Sequence, residues 1–179
     1  MISEEISKEM IKSRIILLTG EINELNTNET IMKLLYLDSL NNEDIYLYIN
    51  SYGGVVSQGL AIIDCMNYIK SKVITICIGT AYSMAAVILS NGEKGKRLAL
   101  PNSEIMIHQI SSKINGKMAE INDSVEKMNK VNQLLTKIIA DNSTQNYKQV
   151  FNNMKSDYFM DAKEAKKYGI IDKIIFKSV

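Results

Sequence analysis

The chain has 179 residues, with 21 basic and 20 acidic side chains and a formal net charge of +1. This length suffices for one domain with a substantial core. Nucleic acid and anionic membranes both need a basic surface, so the balanced charge argues against either as the main partner. No stretch approaches the roughly 20 apolar residues of a membrane span. Residues 1–5 are acidic where a secretion signal is basic and then apolar, so we expect a soluble, cytoplasmic protein.

Cys65 and Cys77 lie in apolar surroundings on a predicted helix and a predicted strand. Buried free thiols are favoured over a disulfide there. Two cysteines and a single histidine do not make a zinc site. We therefore expect no metal and no organic cofactor.

Apolar segments of strand and helix type alternate along one domain that covers residues 1–179. The predicted strands are 15–18, 45–49, 73–78, 97–100, 105–108 and 173–176, and the predicted helices are 30–40, 57–69, 83–90, 118–141, 147–154 and 161–168. This alternation predicts an α/β fold with a mostly parallel sheet covered by helices. Active sites in such folds lie at the carboxyl ends of strands.

The helix predicted at 118–141 has a narrow apolar stripe on an otherwise polar surface. Its members recur every three or four residues: Met118, Ile121, Val125, Met128, Val131, Leu135 and Ile138. Such a stripe is typical of a helix that packs against a partner. An ordinary surface helix over the core is the alternative. The length of the helix favours an arm that interlocks with another subunit.

Ser83 is the most informative residue, because it lies where the strand 73–78 gives way to an apolar helix. A hydroxyl at such a junction projects beside the free N–H groups of a helix start. His108 ends the strand 105–108, and Asp157 follows further on. Alone, His108 is typical of a core or surface histidine and Asp157 of a loop or capping residue. Together, the three supply what nucleophilic acyl transfer needs.

Gly53 and Gly54 follow the strand 45–49. Paired glycines allow backbone conformations that point an N–H at a ligand. With the N–H of Met84, such a group forms an oxyanion hole for a tetrahedral intermediate. A plain turn is the alternative interpretation of these glycines.

Several segments together resemble the ClpP family of caseinolytic serine peptidases. They are DIYLYINS at 44–51, GGVV at 53–56, TICIG at 75–79, SM at 83–84, GKR at 95–97, LPNS at 100–103 and MIHQ at 106–109. The intervals of 25 residues from Ser83 to His108 and 49 from His108 to Asp157 also agree with the family pattern.

The resemblance implies a crotonase-like, ClpP-like ββα spiral with a protruding handle helix, the handle region being about residues 110–141. It implies a homo-oligomer of heptameric rings stacked as a tetradecamer, with the active sites inside. It further implies a AAA+ unfoldase partner of the ClpX, ClpA or ClpC type, and unfolded polypeptides as substrates. A second ClpP paralogue is a further candidate partner.

The resemblance also assigns roles to residues. Ser83 is implied as nucleophile, His108 as general base and acid, and Asp157 as the group that orients the imidazole. Gly54 and Met84 are implied as the oxyanion N–H donors. The pocket that receives unfoldase loops is implied at Tyr46, Tyr48, Tyr68, Leu98 and Ile175.

The chain departs from the family pattern at five places. Tyr52 replaces a proline, and Tyr82 brings a bulky ring next to the nucleophile, which we expect to narrow the cleft or change its peptide preference. Residues 110–113 replace a proline and a Gly-Gly, and Ser156 replaces an arginine, losing its charge and hydrogen-bonding fork. The axial-loop segment is expected to be missing ahead of Ser3, which weakens pore gating and unfoldase docking.

Three functional hypotheses follow. The first is a Clp-type serine endopeptidase that works with an unfoldase. The second is a weakly active or inactive paralogue that serves as a structural subunit of a mixed complex. The third is a crotonase-type acyl-CoA enzyme, which needs a carboxylate near the oxyanion site and no serine nucleophile.

Overall fold

The computed structural model describes residues 4–177. In chain order, its elements are α1 (Glu4–Lys12), β1 (Ile15–Ile22), α2 (Glu24–Leu40), β2 (Ile45–Gly54), α3 (Val56–Tyr68), β3 (Val73–Tyr82), α4 (Met84–Ser90), β4 (Leu98–Ala99), β5 (Glu104–Ile107), α5 (Met118–Asn142), α6 (Tyr147–Asn153), β6 (Tyr158–Asp161), α7 (Ala162–Tyr168) and β7 (Lys173–Ile174). The expectation about the segment ahead of Ser3 falls outside the described residues.

The strands form one mostly parallel sheet. Its main order is β1-β2-β3-β4-β7, and every neighbouring pair on this path is parallel. β5 lies parallel to the end of β3, and β6 pairs antiparallel with β5. The α/β fold with a largely parallel sheet and covering helices is therefore confirmed.

The strands β1, β2 and β3 are longer than the sequence pattern predicts. They run past residues 18, 49 and 78 to Ile22, Gly54 and Tyr82 respectively. The extensions contain Gly20, Gly53 and Gly79, which locally indicate turns. Pairing with neighbouring strands overrides this local preference, as is common for strands.

The sequence pattern does not predict two of the described elements, the short helix α1 and the four-residue strand β6. α2 starts at Glu24 rather than at residue 30, because the Asn23 side chain accepts hydrogen bonds from the Leu25 and Asn26 N–H groups. α4 starts at Met84, since Ser83 has a positive φ that no α-helix contains.

The core lies between the sheet and the helices α2, α3 and α4. Every residue of α4 is buried. α5 differs, because its buried residues Leu135, Thr136 and Ile139 all lie in its last third. Met118 and Val125 are 73% and 43% exposed. The N-terminal part of α5 therefore projects from the core, unlike an ordinary surface helix.

Among residues 4–177, no helix combines the length and the apolar character that crossing a lipid bilayer requires.

Candidate active site

Ser83 lies in the tight corner between β3 and α4. Its φ of 54° and ψ of −122° are rare for a residue with a side chain. Its N–H donates to the Met106 carbonyl of β5 at 2.8 Å, and its own carbonyl accepts from the Ala86 N–H of α4 at 3.0 Å. This corner sets the hydroxyl on a sharp strand-to-helix turn, the geometry of a nucleophile elbow.

His108 directly follows β5 and contacts both other groups. Its Nε2 lies 2.9 Å from Ser83 Oγ, and its Nδ1 lies 2.8 Å from Asp157 Oδ1. When Asp157 accepts a hydrogen bond from Nδ1–H, Nε2 is left as the acceptor for the serine hydroxyl. The three side chains thus form one continuous hydrogen-bonded chain.

Asp157 reaches the histidine through the pairing of two strands. It directly precedes β6, in which Tyr158 pairs with Ile107, the residue before His108. The Asp157 side chain is 58% exposed, whereas that of His108 is 26% exposed. The structure therefore brings together all three residues that the sequence analysis singled out.

Gly53 and Gly54 are positioned by close approach to neighbouring backbone rather than by a simple turn. Their φ values are 91° and 154°. A Cβ on Gly53 would lie 2.8 Å from Ser83 Cβ, and one on Gly54 would lie 2.3 Å from the Ile22 carbonyl oxygen. The end of β2 is packed so tightly against the nucleophile and β1 that only glycine fits.

A cavity of about 80 Å³ lies in front of the nucleophile. It is lined by Gly54, Val56, Ser83, Met84, Val87, His108, Ile110, Ser111 and Leu135. Both predicted oxyanion residues, Gly54 and Met84, therefore face the same space as the Ser83 hydroxyl. None of these described lining residues is acidic, which argues against the acyl-CoA hypothesis.

The cavity wall contains side chains that the sequence analysis missed. Val56, Val87, Ile110 and Leu135 contribute apolar side chains to it. Leu135 belongs to the apolar stripe of α5. The sequence showed this stripe, but it did not show that Leu135 lines the cavity at Ser83. Ile110 and Ser111 come from the segment that departs from the family pattern.

Tyr82 does not line this cavity, so its ring does not narrow the space directly in front of the nucleophile; the expected change of peptide preference stays a prediction. Its ring instead contacts the rings of Tyr52 and Phe159, and its hydroxyl donates to the Glu104 carboxylate. The hydrogen bond to Glu104, then burial and the nearby negative charge, raise the pKa of Tyr82 to about 12. Its hydroxyl is therefore protonated, and a donor, at neutral pH.

Four of the five residues implied for unfoldase docking lie together. Tyr46, Leu98 and Ile175 line a groove of about 530 Å³, and Tyr48 packs with them against Ile76. Tyr68, at the end of α3, is 83% exposed and does not line this groove.

Comparison with known proteins identifies the family of this chain. A family model described as Clp protease matches residues 2–178. An ATP-dependent Clp protease proteolytic subunit from Streptococcus mutans serotype c is 47% identical over 176 residues, which cover 97% of this chain and 90% of that protein. These matches confirm the resemblance inferred from the motifs and the enzyme class, a Clp-type serine peptidase. The chain belongs to the Clp protease family.

Proposed function

We propose that this chain is a serine endopeptidase subunit that hydrolyses unfolded polypeptides to short peptides inside a closed oligomeric barrel. The observation that carries the proposal is the unbroken chain of hydrogen bonds from Ser83 through His108 to Asp157, at 2.9 and 2.8 Å. The hydroxyl, imidazole and carboxylate are each within the distance that proton transfer needs.

The reaction follows from these contacts. Ser83 Oγ attacks the scissile carbonyl carbon while His108 Nε2 takes the hydroxyl proton. The imidazolium then gives this proton to the leaving amine as the C–N bond breaks, which leaves an acyl ester on Ser83. Water, deprotonated by His108, attacks the ester carbonyl. The bond from the acyl carbon to Ser83 Oγ then breaks, which releases the carboxylic acid product, and the imidazolium returns its proton to Oγ. Asp157 stabilises the imidazolium throughout.

The proposed oxyanion hole consists of the N–H groups of Gly54 and Met84, two residues that line the cavity beside Ser83. The Met84 N–H also opens α4, where the helix dipole favours negative charge. Removal of one such donor typically raises the barrier by roughly 3–4 kcal/mol. We therefore assign as much of the catalysis to this backbone as to the three side chains.

The proposed assembly is a pair of stacked heptameric rings in the cytoplasm. The projecting N-terminal part of α5 supports it, because its half-exposed apolar stripe needs a covering surface. The groove around Tyr46, Leu98 and Ile175 is the proposed dock for loops of a AAA+ unfoldase of the ClpX, ClpA or ClpC type. The unfoldase would spend ATP to thread substrate, since peptide hydrolysis itself needs none.

A role as an inactive structural subunit beside a second paralogue is the competing proposal. The departures from the family pattern at residues 110–113 and at Ser156, next to Asp157, motivate it, because both regions make ring contacts in the family. The aligned hydrogen bonds of His108 weigh against it, because a scaffold has no need of them.

The deciding experiment measures fluorogenic-peptide hydrolysis and native mass for the purified chain and for Ser83→Ala. We expect activity from a homo-oligomer and a loss of at least about 1000-fold in the variant, which removes the nucleophile. Ser39→Ala, an exposed serine on α2 whose hydroxyl bonds a backbone carbonyl, is the matched control. Equal turnover by Ser83→Ala would overturn the mechanism, whereas no turnover by a pure oligomer would favour the structural role.

A further inference from the structure

Three aromatic rings and one carboxylate form a cluster beside the nucleophile. We call Tyr52, Tyr82, Phe159 and Glu104 the Tyr82 cluster. The Tyr82 ring centroid lies 5.5 Å from that of Tyr52 and 5.6 Å from that of Phe159, with interplanar angles of 64° and 88°. These are the edge-to-face arrangements that aromatic rings favour. The Tyr82 hydroxyl donates to Glu104.

Each member of the cluster lies on a segment that carries part of the active site. Tyr82 directly precedes the nucleophile, and Tyr52 lies two residues before the oxyanion residue Gly54. Phe159 lies two residues after Asp157, and Glu104 begins β5, the strand that leads to His108. Strand pairing brings them side by side, because Met106 of β5 pairs with Tyr82 on one side and with Phe159 on the other.

The nucleophile has a conformation that needs such support. The φ of 54° at Ser83 is unfavourable for a residue with a side chain, and strain of this kind persists only where the surroundings over-determine it. The ring of the preceding residue is held by two aromatic contacts and a hydrogen bond. The ring does not line the cavity in front of Ser83, so the route from the ring to the nucleophile that the structure offers is the backbone of the adjacent residue.

We propose that Tyr82 is a positioning residue that holds Ser83 in attack geometry, with its ring braced by Tyr52 and Phe159 and its hydroxyl anchored on Glu104. The inference rests on the proposed peptidase activity. The bulky residue before the nucleophile would then support catalysis indirectly. Its contacts also link the four segments that carry Ser83, Gly54, His108 and Asp157.

The test compares Tyr82→Phe, which removes the hydroxyl and keeps the ring, with Tyr82→Ala, which removes both. We expect Tyr82→Phe to lower kcat for a fluorogenic peptide by about 3- to 10-fold, with KM within about twofold. Tyr82→Ala should lose more, so the conservative variant partly rescues activity. The rate of Ser83 labelling by a small fluorophosphonate should fall in parallel, because this reagent depends on the nucleophile and not on peptide subsites.

Glu104→Gln and the double variant Tyr82→Phe/Glu104→Gln complete the cycle. If the hydroxyl acts through Glu104, the double variant loses no more activity than Tyr82→Phe alone. Tyr147→Phe is the matched control, since this tyrosine stacks on Phe151 in α6 and belongs to no part of the site. Native mass and thermal midpoint are measured for every variant.

Two outcomes would overturn the inference. One is unchanged kcat and labelling rate in Tyr82→Phe, and the other is a change confined to KM, which would make Tyr82 a substrate contact. Either outcome can be observed only with a wild-type protein that is active. An inactive wild type, or an active Ser83→Ala variant, would instead contradict the proposed function.

Discussion

At the scale of single residues, the site depends on backbone positions that tolerate almost no substitution. Ser83 has a positive φ, and Gly53 and Gly54 approach the nucleophile and β1 more closely than a Cβ allows. These constraints concern the backbone conformation and its close contacts, which the pattern of apolar and polar side chains does not reveal. Glycine is required here by space as well as by conformation.

Gly53→Ala tests that requirement. The added Cβ would meet Ser83 Cβ and the Tyr82 carbonyl oxygen, each at 2.8 Å, so the corner carrying the nucleophile must shift. A displacement of about 1 Å costs on the order of 100-fold in rate. We therefore expect kcat/KM for a fluorogenic peptide to fall by about that factor.

Gly20→Ala is the matched control for this variant. Gly20 also has a positive φ, of 75°, but a Cβ there meets no atom within 4 Å. We expect a stability loss of about 1 kcal/mol from the backbone conformation alone, with activity retained. Equal activity losses in both variants would show that φ, and not the contact with Ser83, decides the effect.

At the scale of elements, one buried ion pair joins four of them. Arg97, before β4, donates to Asp172, before β7, through Nε at 2.9 Å and through a second guanidinium nitrogen at 2.6 Å. It also donates to the Ser90 carbonyl at the end of α4 and to the Asn142 carbonyl at the end of α5. The Arg97 side chain therefore anchors the C-terminal ends of both α4 and α5.

Asp172→Asn should destabilise the protein in a pH-dependent way. Burial acts to raise the pKa of Asp172, but the hydrogen bonds and charge of Arg97 outweigh it and hold the pKa below the usual 3.8. A lowered folded-state pKa gives stability that is present above the unfolded value and lost as pH falls through the folded one. We expect the variant to lose about 3 kcal/mol of unfolding free energy at pH 7.

Urea unfolding at pH 7 and at several values below 3.8 measures this effect. The difference between wild type and Asp172→Asn should shrink as the pH falls. Asp141→Asn is the control, because its ion pair with Lys137 is exposed and such pairs contribute little. A difference between wild type and Asp172→Asn that stays constant with pH would rule out the ion pair as its source.

At the scale of the whole molecule, α5 divides into an anchored end and a projecting end. Its buried residues all lie from Leu135 onwards, and its N-terminal part presents the stripe that includes Val125. An exposed apolar stripe of this kind is typical of a surface that another chain covers. In the proposed barrel, this helix joins one ring to the other.

Val125→Glu should therefore separate the rings. A carboxylate in an apolar interface is costly to bury, so we expect the native mass to fall to that of a single ring and peptide hydrolysis to decline with it. Lys127→Glu, on the opposite side of α5, is the control for added negative charge. An unchanged native mass for Val125→Glu would contradict a role of the stripe in assembly.

The sequence predicted most elements of the fold, but it did not predict by local pattern how the site residues come together. Apolar periodicity indicated the central strands, the α3 and α5 helices and the place of Ser83 at a strand end. It missed β6, because four residues are too few for a period and their pairing with β5 is long-range. The same pairing brings Asp157 to His108, a contact that the sequence analysis obtained only from the family resemblance.

Local patterns, and motifs in a set order, were enough to predict the α/β class, the family and the three residues that meet at Ser83. The structure was needed to show that the Tyr82 ring contacts Tyr52 and Phe159, that Tyr68 does not line the groove around Tyr46, and that the paired glycines occupy a space too small for a Cβ. Each of these depends on atoms brought together by strand pairing between distant segments. Local periodicity carries no information about such distances.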